Sequence, residues 1–424
     1  MIPNSSNIIT SKLKNGLRVW VYENFGSQTV LINGHVWGGS VNEGPDEQGL
    51  ASFLAGMLNR GTERRDYDAM NEAIESMGAF LMFNAGRHVL GFNSYSLAED
   101  FHQALDLLAE SLMMPAFPES ELEKARTRAL THLEERKHST RSMASATFNQ
   151  QIFPPGHPYR IDLDAEMAAL HRLQREDLVR FYREKVSPDD GIVVVVGGVP
   201  AEQVIGGLER ALGEWRHPLA RPDKTIPPRP ALEERREAHV RVQGKSQSDI
   251  VLGWPSFRRE DPDYDAAQVT NTILGRFGLG GRLGNRIREE LGLAYYAYSM
   301  FHADFGPGTW RLAAGVNPAN VSLAVDAMLA EVRRLVSEPV QEEELVDVQR
   351  FLTGSLPLRL ETNGGIAGNL FEMAWYGLGM DYLTEYEARI RSVTREDVLH
   401  VAQTYLHPDR YALAVAGPSD EEEA

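Results

Sequence analysis

The sequence predicts an α+β fold of two homologous tandem domains, each a mostly antiparallel sheet with helices packed on one face. Three observations carry this. The chain has 424 residues, too many for one ordinary core and suited to two domains of roughly 200 residues each. A segment recurs at constant offset: Arg175-Glu176-Asp177-Leu178, then Ser187-Pro188-Asp189 and an apolar strand ending in Gly197, returns as Arg395-Glu396-Asp397-Val398, His407-Pro408-Asp409 and a strand ending in Gly417. Every matched pair is 220 residues apart, which marks a tandem duplication. Finally, strand-like and helix-like stretches mix without strict alternation, which favours α+β over doubly wound α/β.

In order, Leu17 to Tyr22 and Val30 to Trp37 alternate as strands, the second ending at Gly38-Gly39. Gly49 to Thr62 holds a helix, Tyr67 to Met77 a second, and Ala79 to Asn84 with Val89 to Ser96 two further strands. Leu97 to Met114 reads as a helix closed by Pro115 and Pro118, and Glu119 to His138 as a charged helix. His157-Pro158-Tyr159 marks a loop. Prolines 218, 222, 227, 228 and 230 place a linker at 217–235, between a first domain over 1–216 and a second over 236–424. In the second copy Val240 to Trp254 is the strand region, Tyr264 to Leu274 corresponds to the helix of Gly49 to Thr62, and Glu343-Glu344-Leu345 opens a helix as Glu119-Ser120-Glu121-Leu122 does.

Apolar residues make up 42% and charged residues 24% of the chain, as in a soluble globular protein. The formal net charge of −17 argues against nucleic acid or an anionic membrane as partner and permits a basic peptide. With no cysteine, disulfides, thiolate metal sites and cysteine nucleophiles are excluded together. The first sixteen residues carry no signal-peptide run, and no stretch is long and apolar enough to span a bilayer, so a cytoplasmic location is expected.

The stretch Gly49-Leu50-Ala51-Ser52-Phe53-Leu54-Ala55-Gly56-Met57-Leu58, followed by Gly61-Thr62, has apolar residues at helical spacing and reads, from the residues alone, as an amphipathic core helix. It also resembles the zinc helix of the pitrilysin, insulysin and mitochondrial processing peptidase family, which usually reads Gly-Leu-Ala-His-Phe-Leu-Glu-His-Met-Leu with Gly-Thr shortly after. In an inverted zinc helix two imidazoles four residues apart hold the metal and the glutamate activates its water. Here those three positions are Ser52, Ala55 and Gly56, so the resemblance is to a member without the metal site. It covers nearly all of the chain and implies two α+β domains facing each other as a half-clamshell.

The histidines test the zinc site directly: of the twelve, no two are four apart. The third ligand that the resemblance implies, a glutamate about 75 residues on, falls near His132 to Glu135; Glu134 matches, but without partners it reads as a solvated helix charge. Ser52 has no local histidine or lysine base and no nucleophile elbow around it. Gly275-Arg276-Phe277-Gly278-Leu279-Gly280-Gly281 follows a helical pattern instead of a strand, and Gly244-Lys245-Ser246 lacks the earlier glycine of a phosphate loop, so both read as turns. In the family's noncatalytic processing subunit a longer glycine-rich loop at this place takes part in substrate handling.

The run from Gly281-Arg282 to Glu290-Leu291-Gly292-Leu293-Ala294-Tyr295 resembles the family's second-domain signature, an arginine followed seven residues later by the tyrosine of Gly-Leu-Ala-Tyr. By the residues alone, Arg288 pairs with Glu289 or Glu290 and Tyr295 is a strand aromatic. By the resemblance, Arg288 and Tyr295 bind the substrate backbone near the scissile carbonyl, a role suited to a guanidinium and a phenol as donors. Further matches are Leu352-Thr353-Gly354-Ser355-Leu356-Pro357, Glu361-Thr362-Asn363 and Tyr376-Gly377-Leu378. An erased metal helix beside a retained Arg288 and Tyr295 implies a noncatalytic subunit of a heterodimeric zinc peptidase. Such a chain has no cofactor of its own, a homologous zinc-bearing partner and a peptide substrate, and is inactive alone. The rival expectation is a structural or peptide-binding core protein with no peptidase partner.

Overall fold

The computed structural model describes residues 2–217, 219–221, 224–275 and 281–418. The chain forms two compact units, one of Met1–Thr131, Asp164–Thr225 and Pro357–Thr384, the other of His132–Leu163, Ile226–Leu356 and Glu385–Ala424. The duplication divides the sequence in half, whereas the compact units interleave. The described residues of the proline-rich stretch 217–235 hold neither helix nor strand.

The first unit is built on six strands: β1 (Ile9–Lys12), β2 (Arg18–Glu23), β3 (Thr29–Trp37), β4 (Phe80–Ala85), β5 (Val89–Leu97) and β6 (Ser187–Gly197). Their order is β1-β2-β6-β3-β5-β4, antiparallel except for β2 with β6. The second unit has β7 (Arg236–Arg241), β8 (Ser248–Pro255), β9 (Ala294–Ala303), β10 (Pro307–Val316) and β11 (Ala412–Gly417), in the order β7-β11-β8-β10-β9. Here too one pair, β7 with β11, is parallel. Strand for strand, the second sheet is the first without β1. The fold is therefore α+β with two mostly antiparallel sheets.

The repeat extends to side chains that tie helices together. Arg126, 9% exposed, donates through Nη2 to the Leu173 carbonyl at 2.6 Å and through Nη1 to that of Leu170. Gln349, 223 residues later, donates through Nε2 to the carbonyls of Ile390 and Val393 at 3.1 and 2.9 Å. Arg175 reaches the Phe117 carbonyl and Arg395 that of Val340. Asp177 and Asp397 accept from the N–H of Gln174 and Thr394, closing the same helix start twice. The carbonyl bonds of Arg126 and Gln349 and the carboxylates of Asp177 and Asp397 satisfy backbone groups at helix ends, while Arg175 and Arg395 tie a helix to the loop before another.

Along β3, Val30, Ile32 and Val36 are buried towards the main helical layer, and alternation sends His35 and Trp37 to the other face. There the helix Asn363–Trp375, from the second half of the sequence, packs: Phe371 lies 4.1 Å from the His35 ring, Trp375 5.0 Å from Trp37, and Arg18 Nη1 donates to the Ala374 carbonyl at 3.0 Å. In the second unit the helix Thr140–Ile152, from the first half, has the same role. Gly253 of β8 leaves room for the Phe148 ring, and its register partner Ala412, with Ala414 and Ala416, presents a small-residue surface on the same face. Each sheet thus carries one helix on its second face, in addition to the layer the alternation pattern anticipates.

Two boundaries differ from the sequence expectation. Leu97 ends β5, and the helix begins only at Phe101 because Asp100 precedes the periodic run. The strand region expected over Val240 to Trp254 is two strands, β7, which begins earlier at Arg236, and β8, joined through Gly244 at φ +67°. Among the described residues no helix is long and apolar enough to cross a membrane.

Candidate functional site

In the first unit, the helix Leu50–Met57 buries Leu50, Ala51, Phe53, Leu54, Ala55 and Met57, while Ser52 and Gly56 are exposed. The spacing that would put two ligands on one accessible face is therefore intact, and the side chains are not ligands. Ser52 offers a neutral hydroxyl, Ala55 and Gly56 no donor, and Glu134 stands exposed on the helix Glu119–Lys137. The family's zinc does not fit these residues. Among the described residues no group of three or more His, Cys, Asp or Glu side chains is placed to hold a metal ion. A Cβ added at Gly56 meets nothing within 4 Å, so the exposed position is open.

The same helix has a feature that sequence reading missed. Glu43 reaches forward to its N-terminus, accepting from the Gly49 N–H at 3.0 Å and the Ala51 N–H at 2.8 Å. Gly49 sits at φ +86°, and a Cβ there would stand 2.8 Å from Cγ of Glu166. Burial, with Glu166 and Glu47 nearby, pushes the Glu43 carboxyl up to about 7, against the two backbone N–H groups that favour its charge. No local signal marks Glu43, because the residues it caps lie six and eight positions on, across Pro45.

In the second unit, Arg288 lies in a short π-helix, Gly284–Glu290, and Tyr295 at the start of β9. The Leu293 N–H donates to the Ile287 carbonyl at 2.9 Å, folding the π-helical segment onto the strand that follows. Arg288 Nε donates to Glu289 at 2.8 Å, the pairing the residues alone suggest. Tyr295 is not an ordinary strand aromatic. Tyr296 pairs with Gly315 and Ala294 with Val316, so Tyr295 is the extra residue of a β-bulge on an edge strand, and it is 91% exposed. Its neighbour Tyr296 is fixed from behind: its hydroxyl meets the buried Asp249, which also accepts from Thr140 at 2.5 Å, and the Arg141 guanidinium lies 4.2 Å over its ring. Gly315 is required opposite, since a Cβ there would stand 2.6 Å from the Tyr296 ring. Chemically, the bulge presents a phenol to solvent on a backbone whose own outer edge is unpaired.

Two family models match the chain: one described as "Peptidase M16 inactive domain" over residues 172–352, the other as "Insulinase (Peptidase family M16)" over residues 18–153. The chain belongs to peptidase family M16. Residues 172–352 match the model described as inactive, and positions 52, 55 and 56 of this M16 chain hold none of the imidazole and carboxylate ligands of a zinc helix. An uncharacterized zinc protease of Streptomyces coelicolor is 27% identical over 409 residues, covering 94% of this chain and 86% of that protein. A Helicobacter pylori protein named a non-peptidase homolog is 24% identical over 367 residues, covering 85% and 82%. The crystal structure of a peptidase M16 inactive domain from Pseudomonas fluorescens shares the fold with a TM-score of 0.89 at 23% identity, covering 97% and 98%.

In the first unit β4 is one of two edge strands, and β4 and β5 expose Phe80 (64%), Met82 (63%), Tyr95 (39%) and Leu97 (41%). In register, Phe80 faces Tyr95, and Met82 lies two residues on along the same face. This apolar strip runs along a sheet edge on which the Leu81 carbonyl accepts from Asn59 Nδ2 at 3.4 Å. The turn at Gly244 forms as expected; of the glycine-rich stretch 275–281, residues 276–280 lie outside the described residues.

Proposed function

We propose that this chain is the noncatalytic subunit of a two-chain zinc peptidase, holding peptide and contributing Arg288 and Tyr295 to a site whose metal, water and general base belong to a homologous partner. The observation that carries the reading is the pairing of an erased metal helix with a Tyr295 held 91% exposed on an edge-strand bulge. A buried or disordered phenol would have served a structural chain equally well; a bulge re-aims one side chain at the expense of a ladder bond. The phenol hydroxyl and the Arg288 guanidinium are donors of the kind that stabilise a peptide carbonyl as it becomes an oxyanion. The apolar strip of Phe80, Met82, Tyr95 and Leu97 supports the peptide-holding half of the reading, since it sets exposed apolar side chains along a sheet edge that an extended segment can join.

The test is reconstitution with a relative that keeps His-x-x-Glu-His. This chain alone should leave an unfolded peptide intact, the mixture should cleave it, and Arg288→Ala and Tyr295→Phe should each slow the mixture. Unchanged turnover in both variants would end the shared-site reading. A silent mixture that still binds the peptide would leave a peptide-binding protein with no peptidase partner.

A further inference from the structure

The second unit contains a cationic pocket unrelated to Arg288 and Tyr295. A cavity of about 340 Å³ is lined by Arg229, Glu233, Trp254, Tyr405, His407 and Arg410, with the apolar wall Pro230 to Leu232. Arg229 lines the cavity, lies 5.0 Å over the Tyr405 ring and donates from Nη2 to the Pro255 carbonyl at 3.1 Å. The Arg410 N–H closes a turn on the His407 carbonyl, which also accepts from Trp254 Nε1 at 2.9 Å. Two guanidiniums and an imidazole are therefore held around one space on a fixed backbone. Among the described residues neither Arg229 nor Arg410 has a carboxylate within ion-pair distance, in a chain whose net charge is −17.

The duplication sharpens the point. The first copy reads Ser187-Pro188-Asp189-Asp190 where the second reads His407-Pro408-Asp409-Arg410. At the first corner Asp190 is paired with Arg18 at 3.4 Å and with Lys224. At the second the charge is reversed, and the nearest carboxylates, Asp261 beside Arg229 and Glu233 on the pocket wall, make no ion pair with either arginine among the described residues. Burial, with Arg410 and Arg229 close by, holds the His407 imidazole below its ordinary value, as expected where positive charges crowd without an anion. The other charged groups around it are accounted for: Asp263 accepts from the Tyr405 hydroxyl at 2.8 Å, Asp261 is engaged by Arg258, and Glu233 is exposed, where water screens it.

We infer that this pocket binds a phosphate-bearing small molecule, its phosphate seated among Arg229, His407 and Arg410. A dianion matches the two permanent charges, forked guanidiniums grip phosphoryl oxygens in pairs, and the cavity leaves room for a body against the Pro230 to Leu232 wall. Binding would draw a proton onto His407.

The experiment titrates inorganic pyrophosphate into the full-length chain by calorimetry at low salt and pH 7, in two buffers of different ionisation enthalpy. Saturable one-to-one binding is expected, with proton uptake seen as a buffer-dependent heat. Arg410→Ala, at an exposed position, should weaken binding at least tenfold, and His407→Gln should abolish the proton uptake while binding persists. Circular dichroism confirms folding of each variant, and Arg229→Lys, which keeps the charge but loses the fork, should also weaken binding. No saturable heat up to millimolar pyrophosphate, affinity unchanged by Arg410→Ala, or equal affinity for acetate would overturn the assignment.

Discussion

Glu43→Gln isolates the electrostatics of the helix that lost its metal ligands. A carboxyl with an ordinary value of 4.5 is raised to about 7 in the folded chain, chiefly by burial, with Glu166 and Glu47 adding. The folded state then holds its proton more tightly than the unfolded chain does. The stabilisation this represents is complete below about pH 4.5 and is lost as pH rises through 7. At 1.36 kcal/mol per unit, the loss between pH 5 and pH 8 is about 2–3 kcal/mol. Glutamine cannot ionise and escapes it. Its amide accepts from only one of the two N–H groups that Glu43 serves, a penalty of about 1 kcal/mol that is the same at both pH values and cancels from the comparison. Urea unfolding of wild type and variant at pH 5 and pH 8 measures this directly. The stability difference, variant minus wild type, should rise by about 2–3 kcal/mol over that interval. A difference that stays constant, or that falls, would show that the Gly49 and Ala51 N–H groups outweigh burial and the neighbouring carboxylates.

Gly56→Ala fills open space at an exposed position inside the helix and should raise stability by about 0.5–1 kcal/mol, read as a higher thermal midpoint. Gly34→Ala places a Cβ 2.1 Å from the fully buried Phe92 ring and should cost about 1–3 kcal/mol in urea unfolding; a neutral result would mean that the ring can move within the sheet. Gln349→Leu leaves the Ile390 and Val393 carbonyls without their buried donor and should cost about 1–3 kcal/mol, with faster amide exchange around residues 390–393. Tyr295→Phe removes a hydroxyl from a 91% exposed side chain, so unfolding should move by less than about 0.5 kcal/mol while turnover in the reconstituted mixture falls.

What the sequence determined by itself follows from short-range physics and from repetition. The 220-residue offset states that one fold is built twice, and strand alternation at Leu17–Tyr22 and Val30–Trp37 places two strands of the first sheet. The loss of the helical metal site needs only three residue types, Ser52, Ala55 and Gly56, because zinc chemistry depends on imidazole and carboxylate donors, which a neutral hydroxyl, a methyl and a hydrogen do not replace. Tertiary structure decided the rest, since each remaining fact depends on residues far apart in the chain. That Asn363–Trp375 packs in the first unit and Thr140–Ile152 in the second is invisible to periodicity, which fixes a helix's apolar face but not the sheet that receives it. The exposure of Tyr295 depends on a one-residue mismatch between β9 and β10, a matter of register between strands. Glu43 acquires its high proton affinity only when folding buries it, chiefly through that burial, with Glu166, more than a hundred residues away, adding to it at the same helix start.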